Sequence, residues 1–365
     1  MSNLGIYIHI PFCLKKCDYC DFVSFTHKRF DDYFCALNKE IELYKNLISK
    51  REVDSIFIGG GTPSVVCAGY ITEVLGKFNK TKDCEITIEV NPKTVNEEKL
   101  KEYKNAGINR ISIGMQSAVD KELKKLNRIH NFEEFKECYN LVRKCGFSNV
   151  NIDIMFGIPY QTYESFIYTL GKAKELNPEH ISCYSLIVEE NTPFYNMKLE
   201  LPDEETERRM YENTPKILKN YMRYEISNYS KKGYECRHNM KYWEFQDYLG
   251  LGVNAHSFTD GVRNQNTDDF DTYIEKIKKG EVPVINSEKE SNEELLKDYI
   301  ITGLRLVKGI DINTINEKFK IDFLKEYESV IKKYAEEKYM ILENNSLKFT
   351  EKGFSISNYI LCDFI

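Results

Sequence analysis

The sequence predicts an α/β protein: an open, partial (β/α)6 barrel of the TIM type, followed by a small winged-helix-like α+β domain. Short β-branched apolar runs alternate with long amphipathic stretches through the first two hundred residues, the pattern of parallel strands with helical crossovers. Glycine-rich, cysteine and ionisable motifs fall just after those runs, where barrels of this kind place their chemistry. From about residue 290 the pattern changes to helical stretches and one hairpin.

Gly5–Ile10 reads as the first strand, followed by a loop and helical periodicity through roughly 28–50. Asp54–Ile58, Glu85–Val90, Arg110–Gly114, Asn149–Ile154 and His180–Val188 read as five more. Helical patterns over Asn96–Asn105, Phe132–Lys144 and Thr162–Leu176 separate them. Such units are too few to close an eight-stranded barrel, so the sheet is expected to stay open. Residues 203–289 are irregular and aromatic-rich and are expected to close the mouth of the 1–202 barrel. The 290–365 module is expected to hold helices over Glu293–Arg305, Ile312–Phe319 and Asp322–Lys338, with a hairpin joining Met340–Leu342 to Ser346–Phe349 through Glu343-Asn-Asn345. Acidic residues run through its helices, which fits a packing module better than a DNA reader.

The 365 residues are 42% hydrophobic, enough for a sizeable core, and carry a net charge of −6 with both signs interleaved. That balance argues against a nucleic-acid partner. No apolar run approaches a membrane span and no signal-like leader is visible, so the chain is expected in the cytoplasm. In a reducing compartment its 11 cysteines are ligands or core thiols rather than disulfides. Cys35, Cys67, Cys84, Cys138, Cys145, Cys183, Cys236 and Cys362 are scattered and read as small core hydrophobes.

Cys13, Cys17 and Cys20 are different. They sit within Cys13-Leu-Lys-Lys-Cys17-Asp-Tyr-Cys20, directly after the first strand. Three thiolates can hold a [4Fe–4S] cube and leave one iron without a protein ligand. That iron can chelate the amino and carboxylate groups of S-adenosylmethionine (SAM). A structural zinc is the competing reading, but it wants four ligands, and the next thiol, Cys35, lies in an expected helix.

On this spacing the chain resembles the radical SAM superfamily and, within it, the coproporphyrinogen dehydrogenase-like branch. The resemblance covers nearly the whole chain. Gly59-Gly60-Gly61-Thr62-Pro63 is similar to the branch's glycine-rich turn, which approaches the methionine part of SAM. Tyr7, Tyr19, Glu89, Gln116, Arg128, Asp153 and Ile187 also match positions of the branch, so with Gly60, Gly61 and Thr62 they are implied SAM contacts. Acid side chains suit ribose hydroxyls and arginine suits a carboxylate. The plainer alternative is that these strand-end charges pair with one another inside the barrel.

Two features are similar to the haem-chaperone subgroup rather than to the decarboxylating enzymes. Phe22 stands where those enzymes carry a fourth cysteine, and their N-terminal extension has no counterpart before Cys13. Arg237-His-Asn-Met-Lys-Tyr-Trp243 fits the subgroup's His-Asn-x-x-Tyr-Trp pattern and holds the single tryptophan. The resemblance implies a protein that binds haem and passes it to an acceptor protein, with a reductant protein serving the cluster. It makes His238 the candidate haem ligand, with Cys236 as alternative; a hydrogen-bonded turn with Trp243 in the core is the plain reading. The other function in play is oxygen-independent coproporphyrinogen III oxidation, and a nucleic-acid-modifying radical enzyme is disfavoured by the acidic balance. In Tyr248–Ser257 the family's Pro and Gly are replaced by Val253 and Asn254, which implies a changed loop and leaves His256 without an assigned role. His9 and His180 are expected in the core.

Overall fold

The computed structural model describes residues 3–365. Six strands, β1 (Leu4–Ile10), β2 (Val53–Gly60), β3 (Lys80–Val90), β4 (Arg110–Gln116), β5 (Val150–Phe156) and β6 (His180–Ser185), pair in parallel and in chain order. Helices including Phe30–Leu43, Glu97–Asn105, Phe132–Lys144 and Tyr163–Leu176 cover their outer face. Each strand divides its residues by the two-residue period of the pleat. On β4, Ile111, Ile113 and Met115 are buried in the hydrophobic core under the helices, while Arg110 and Ser112 line a cavity on the other face. Local signals set the helix starts. Asn96 accepts from the Lys99 amide, and Asn131 with Glu134 forms a reciprocal capping box.

The segment after β6 is more regular than its sequence suggests. It contributes β7 (Met222–Arg223) and β8 (Asn228–Ser230) beyond β6, and β9 (Tyr248–Leu251), β10 (His256–Thr259), β11 (Val262–Asn266) and β12 (Val284–Lys289) beyond β1. The result is one open twelve-stranded sheet in the order β12-β11-β10-β9-β1-β2-β3-β4-β5-β6-β8-β7. Met210, Tyr229, Leu249 and Ile277 from this segment share the core of the six parallel strands. Its short strands form because two edges need partners, not because of their own periodicity.

The C-terminal module has its own core, including Leu296, Ile300, Ile315, Tyr334 and Phe349. Helices Asn292–Leu304, Ile312–Phe319, Phe323–Glu326 and Glu328–Glu336 pack beside a three-stranded sheet of β13 (Ile310–Asp311), β14 (Met340–Glu343) and β15 (Ser346–Phe349). The continuous helix expected over Asp322–Lys338 is broken at Tyr327, the C-cap of one piece and N-cap of the next. Asn344 and Asn345 both take positive φ (50° and 63°), the two-residue hairpin geometry that asparagine tolerates.

Three further expectations need correction. Strand β3 starts at Lys80 rather than Glu85, because Val53 recruits Lys80 across a register shift. Strand β6 ends at Ser185, leaving Leu186–Val188 as loop. Among the scattered cysteines only Cys84, Cys138, Cys183 and Cys236 are buried. Cys145 is half-buried, and Cys35, Cys67 and Cys362 are exposed at helix surfaces or a helix start.

Buried Glu40, on helix Phe30–Leu43, ties the first helix to the segment that follows β6. Its carboxylate accepts from the Gly252 amide at 2.8 Å, the Tyr273 hydroxyl at 2.7 Å and Asn266 Nδ2 at 2.8 Å. Glu40→Leu leaves three enclosed donors without an acceptor and is expected to cost roughly 2–4 kcal/mol of stability by denaturant titration. Burial, against those three hydrogen bonds, raises the Glu40 carboxyl from 4.5 to about 7. An acid that binds its proton more tightly when folded favours folding below its unfolded pKa and loses that contribution as pH rises through the folded value. Between pH 4.5 and 7, the Tm of the native chain should therefore fall relative to that of Glu40→Gln.

Candidate cluster and ligand site

The cysteine loop is pinned before it offers any thiol. Phe12 is buried against Phe30, Tyr33 and Phe270, and the Phe25 amide donates to the Pro11 carbonyl at 2.7 Å. The turn after β2 then closes on it. The Gly61 amide donates to the Ile10 carbonyl at 2.9 Å and the Thr62 amide to the Phe12 carbonyl at 2.7 Å. A Cβ on Gly61 would lie 2.7 Å from the Phe12 oxygen and 3.1 Å from Cys13 Sγ. Gly61 is thus glycine because two backbones meet there, and Gly60 because it adopts φ 107° against the His9 ring.

All three thiols are half-buried. Cys13 Sγ lies 3.5 Å from Thr62 Oγ1, and Arg128 Nη1 donates to Cys17 Sγ at 3.7 Å. Burial pushes the Cys13 thiol up and the Cys20 thiol up to about 11, so binding iron there must displace protons. Among the described residues no three His, Cys, Asp or Glu side chains gather tightly enough for a single metal ion. The Arg128 guanidinium beside the Cys17 thiol suits a bound thiolate there.

Below the loop lies a cavity of about 860 Å³ on the concave face. Tyr7, Phe57, Tyr184, Tyr242 and Tyr248 give it aromatic walls. Tyr19, Gly60, Glu89, Asp153 and Ile187 also line it, Ile187 being 67% exposed at the rim. Burial first, and then Asp153, pushes the Glu89 carboxyl up to about 8, against a hydrogen bond from the Gly60 amide. Asp153 accepts from Ser112 Oγ at 3.0 Å and Asn151 Nδ2 at 2.8 Å. Gln116 and Arg128 stand behind the lining. Gln116 sits at a β-bulge with φ 63° and accepts from the Tyr184 hydroxyl at 3.2 Å. Arg128 Nη2 donates to Asn91 Oδ1 at 3.0 Å and to the Gly114 carbonyl at 3.1 Å, while its enclosed Nε has no partner. No ion pair joins Glu89, Asp153 and Arg128 among the described residues, so mutual pairing does not account for them. Both acids line the cavity, and a carboxyl oxygen has lone pairs enough to accept from a ligand hydroxyl such as that of a ribose.

The His-Asn-x-x-Tyr-Trp motif forms the helix Arg237–Trp243 and divides its faces. Asn239 and Tyr242 line the cavity. His238 does not: it is fully buried, with Nδ1 3.0 Å from Ser55 Oγ and Nε2 2.9 Å from the Tyr242 hydroxyl. Burial lowers it to about 3, so the ring is neutral but both nitrogens are engaged. Cys236 is equally enclosed, 3.6 Å from Glu85 Oε1, and pushed up to about 12 by burial. Trp243 faces the C-terminal module, with the Arg305 guanidinium 5.7 Å from its ring. His9 (2% exposed) and His180 (0%) are core residues as expected. Asn254 takes φ 56°, a left-handed conformation that glycine also adopts, so the exchange at this position imposes no rearrangement of its own. The exposed ring of His256 reaches the cavity.

Residues that motif reading missed are Phe57, Arg110, Ser112, Asn151, Ser182 and Tyr184. Their signal was present as polar or aromatic residues at alternate positions of otherwise apolar strands. The Gly61 contact gives a direct test. Gly61→Ala should lower iron and sulfide content per chain severely while far-UV circular dichroism is retained. Gly69→Ala, where a Cβ meets nothing within 4 Å, should load as the native chain does.

Residues 7–173 match the Radical SAM superfamily, and residues 291–356 match the HemN C-terminal domain. A protein of Buchnera aphidicola (strain Sg) named Heme chaperone HemW is 37% identical over 100% of this chain and 99% of its own. The Bacillus subtilis protein of that name is 33% identical over 98% of both, and the Escherichia coli one 41% identical over 72% of both. The solved coproporphyrinogen III oxidase (HemN) of Escherichia coli superposes with a TM-score of 0.88, covering 99% of this chain and 90% of that one. At 24% identity this last likeness speaks for the fold alone. Sheet, cysteine loop and end-to-end relatives agree: the chain belongs to the radical SAM superfamily and, within it, to the HemW family.

Proposed function

We propose that this protein is a haem chaperone, which binds haem and delivers it to an acceptor protein in the cytoplasm. The observation that carries the reading is the match, over essentially the whole chain, to relatives named Heme chaperone HemW. The cavity supports it, being walled by aromatic rings that suit a flat macrocycle and carrying Asn239 and Tyr242 of the Arg237–Trp243 motif.

On this reading Cys13, Cys17 and Cys20 hold a [4Fe–4S] cluster, with Arg128 compensating the thiolate charge and Gly61 allowing the loop to close. Glu89 and Asp153 accept from the ribose of SAM, Gln116 and Tyr19 border it, and the backbone at Gly60–Thr62 meets its methionine end. When bound, the cluster and SAM would supply an electron-transfer centre that regulates transfer, fed by a reductant protein. No helix of the described residues is long and apolar enough to cross a membrane.

An imidazole can ligate the iron of the cargo only through a free nitrogen. His238 offers none without breaking its bond to Ser55 or Tyr242, and His9 is occupied by Val23 and Tyr7. His256 is exposed at the cavity, and burial and then Arg263 lower its pKa, so it is neutral at physiological pH. We assign it the ligand role and His238 the task of holding Tyr242 in the wall.

Anaerobic haem titration followed in the Soret band tests both levels. The native chain should show a stoichiometric shift, weakened about tenfold or more by His256→Ala. His238→Ala should keep the Soret position and lose thermal stability. Absence of saturable binding by the native chain overturns the chaperone reading. Undiminished affinity in His256→Ala moves ligation to another residue.

A further inference from the structure

Arg110 opens β4 and is its first inward-facing residue. It is 2% exposed, yet among the described residues its guanidinium forms no hydrogen bond and no ion pair, and the enclosed Nε has no partner. Buried arginines are ordinarily paired, because five donors and a full charge are costly to leave unanswered. Glu85 and Asp153 lie near enough to raise the guanidinium's pKa against burial but form no hydrogen bond with it. Glu85 Oε1 accepts from the His238 amide at 3.3 Å and lies 3.6 Å from Cys236 Sγ, while Asp153 is taken by Ser112 and Asn151. Arg110 therefore presents unanswered donors to the cavity, beside Ser112, Asn151, Ser182 and Asn228.

We propose that Arg110 is the receptor for a ligand carboxylate, namely the propionate edge of the haem cargo entering the cavity edge-on. The proposal rests on the haem-chaperone reading and adds to it the orientation of the cargo. A tetrapyrrole is apolar over both faces and anionic along one edge. The cavity offers both chemistries: the aromatic rings of Tyr7, Phe57, Tyr184, Tyr242 and Tyr248, and a cationic, amide-rich patch of Arg110, Asn151 and Asn228. Burial raises both Glu89 and Asp153, which reduces the repulsion an incoming carboxylate meets. The carboxylate of SAM has the same chemistry but the wrong position. The methionine end of SAM is expected at the Gly60–Thr62 turn at the end of β2, whereas Arg110 opens β4 at the opposite end, beside the Glu89 and Asp153 carboxyls rather than the cysteine loop.

The test compares haem with haem dimethyl ester, delivered in the same solvent to the full chain and to Arg110→Gln and Arg110→Lys. The native chain should bind haem about tenfold or more tightly than the ester, the effect of one charge-assisted hydrogen-bonded contact. Arg110→Gln should bind both alike, near the native affinity for the ester, and Arg110→Lys should recover part of the preference. Equal binding of both ligands by the native chain overturns the propionate contact while haem binding stands. Binding of neither overturns the chaperone reading and this one with it. A preference undiminished in Arg110→Gln removes Arg110 from the role. Loss of SAM affinity in Arg110→Gln by equilibrium dialysis, with the haem preference intact, assigns the carboxylate to SAM and overturns the proposal. Should Arg110→Gln fail to fold, the native pair of affinities and Arg110→Lys still decide.

Discussion

The concave face of the sheet carries charge that the fold does not pack away. Glu89, Arg110 and Asp153 project from neighbouring strands into one cavity, near enough to shift one another's titration yet without an ion pair between them. Keeping ionisable groups from bulk water is unfavourable unless something answers them. The opposing stability comes from the other side of the same strands, where Ile6, Ile8, Ile56, Ile88, Ile111, Ile113 and Ile152 are almost wholly buried under helices. An outer layer rich in β-branched residues thus supports an inner layer that is poor at folding and suited to binding. The division depends on strict alternation along each strand. A one-residue slip would exchange the two layers completely.

The cysteine loop shows the same separation of support and chemistry. Its thiols are neither held by the loop's own hydrogen bonds alone nor by the helix that follows. They are placed where the β2 turn presses against Phe12 and Cys13 with no room for a side chain. The Arg237–Trp243 helix divides labour within seven residues. One face joins the cavity wall, His238 locks onto β2 through Ser55, and Trp243 turns to the C-terminal module.

The parallel strands and the small C-terminal module were legible because β-branched runs, helical periodicity and caps all agree there. The cysteine loop's place directly after β1 was legible from where its three cysteines fall in the sequence. What was not legible depends on partners distant in the chain. Strand β12, Val-Ile-Asn-Ser-Glu-Lys, has no periodicity of its own and exists because β11 offers an edge. Nothing in His-Asn-x-x-Tyr-Trp reveals which helix face meets Ser55, so the histidine could be identified but not its occupied nitrogens. Cys35 and Cys362 show the same limit: a helical cysteine is core or surface according to the face it occupies. Arg110 and Ser112 were visible as polar residues on an apolar strand, but a receptor differs from a packed pair only in lacking a partner.

An open sheet of twelve strands has two ends, and unpaired strand ends invite other chains. At one end β7 is only two residues long, and the chain just beyond it bridges to Leu306 while Arg223 stacks on Phe354 of the C-terminal module. At the other, β12 is exposed from Ile285 onward and ends in Ser-Glu-Lys. One border is shielded by a domain and the other by charge and hydration. The module that looks like an appendage therefore also caps one border of the sheet, the kind of cover by which natural sheets shield an edge.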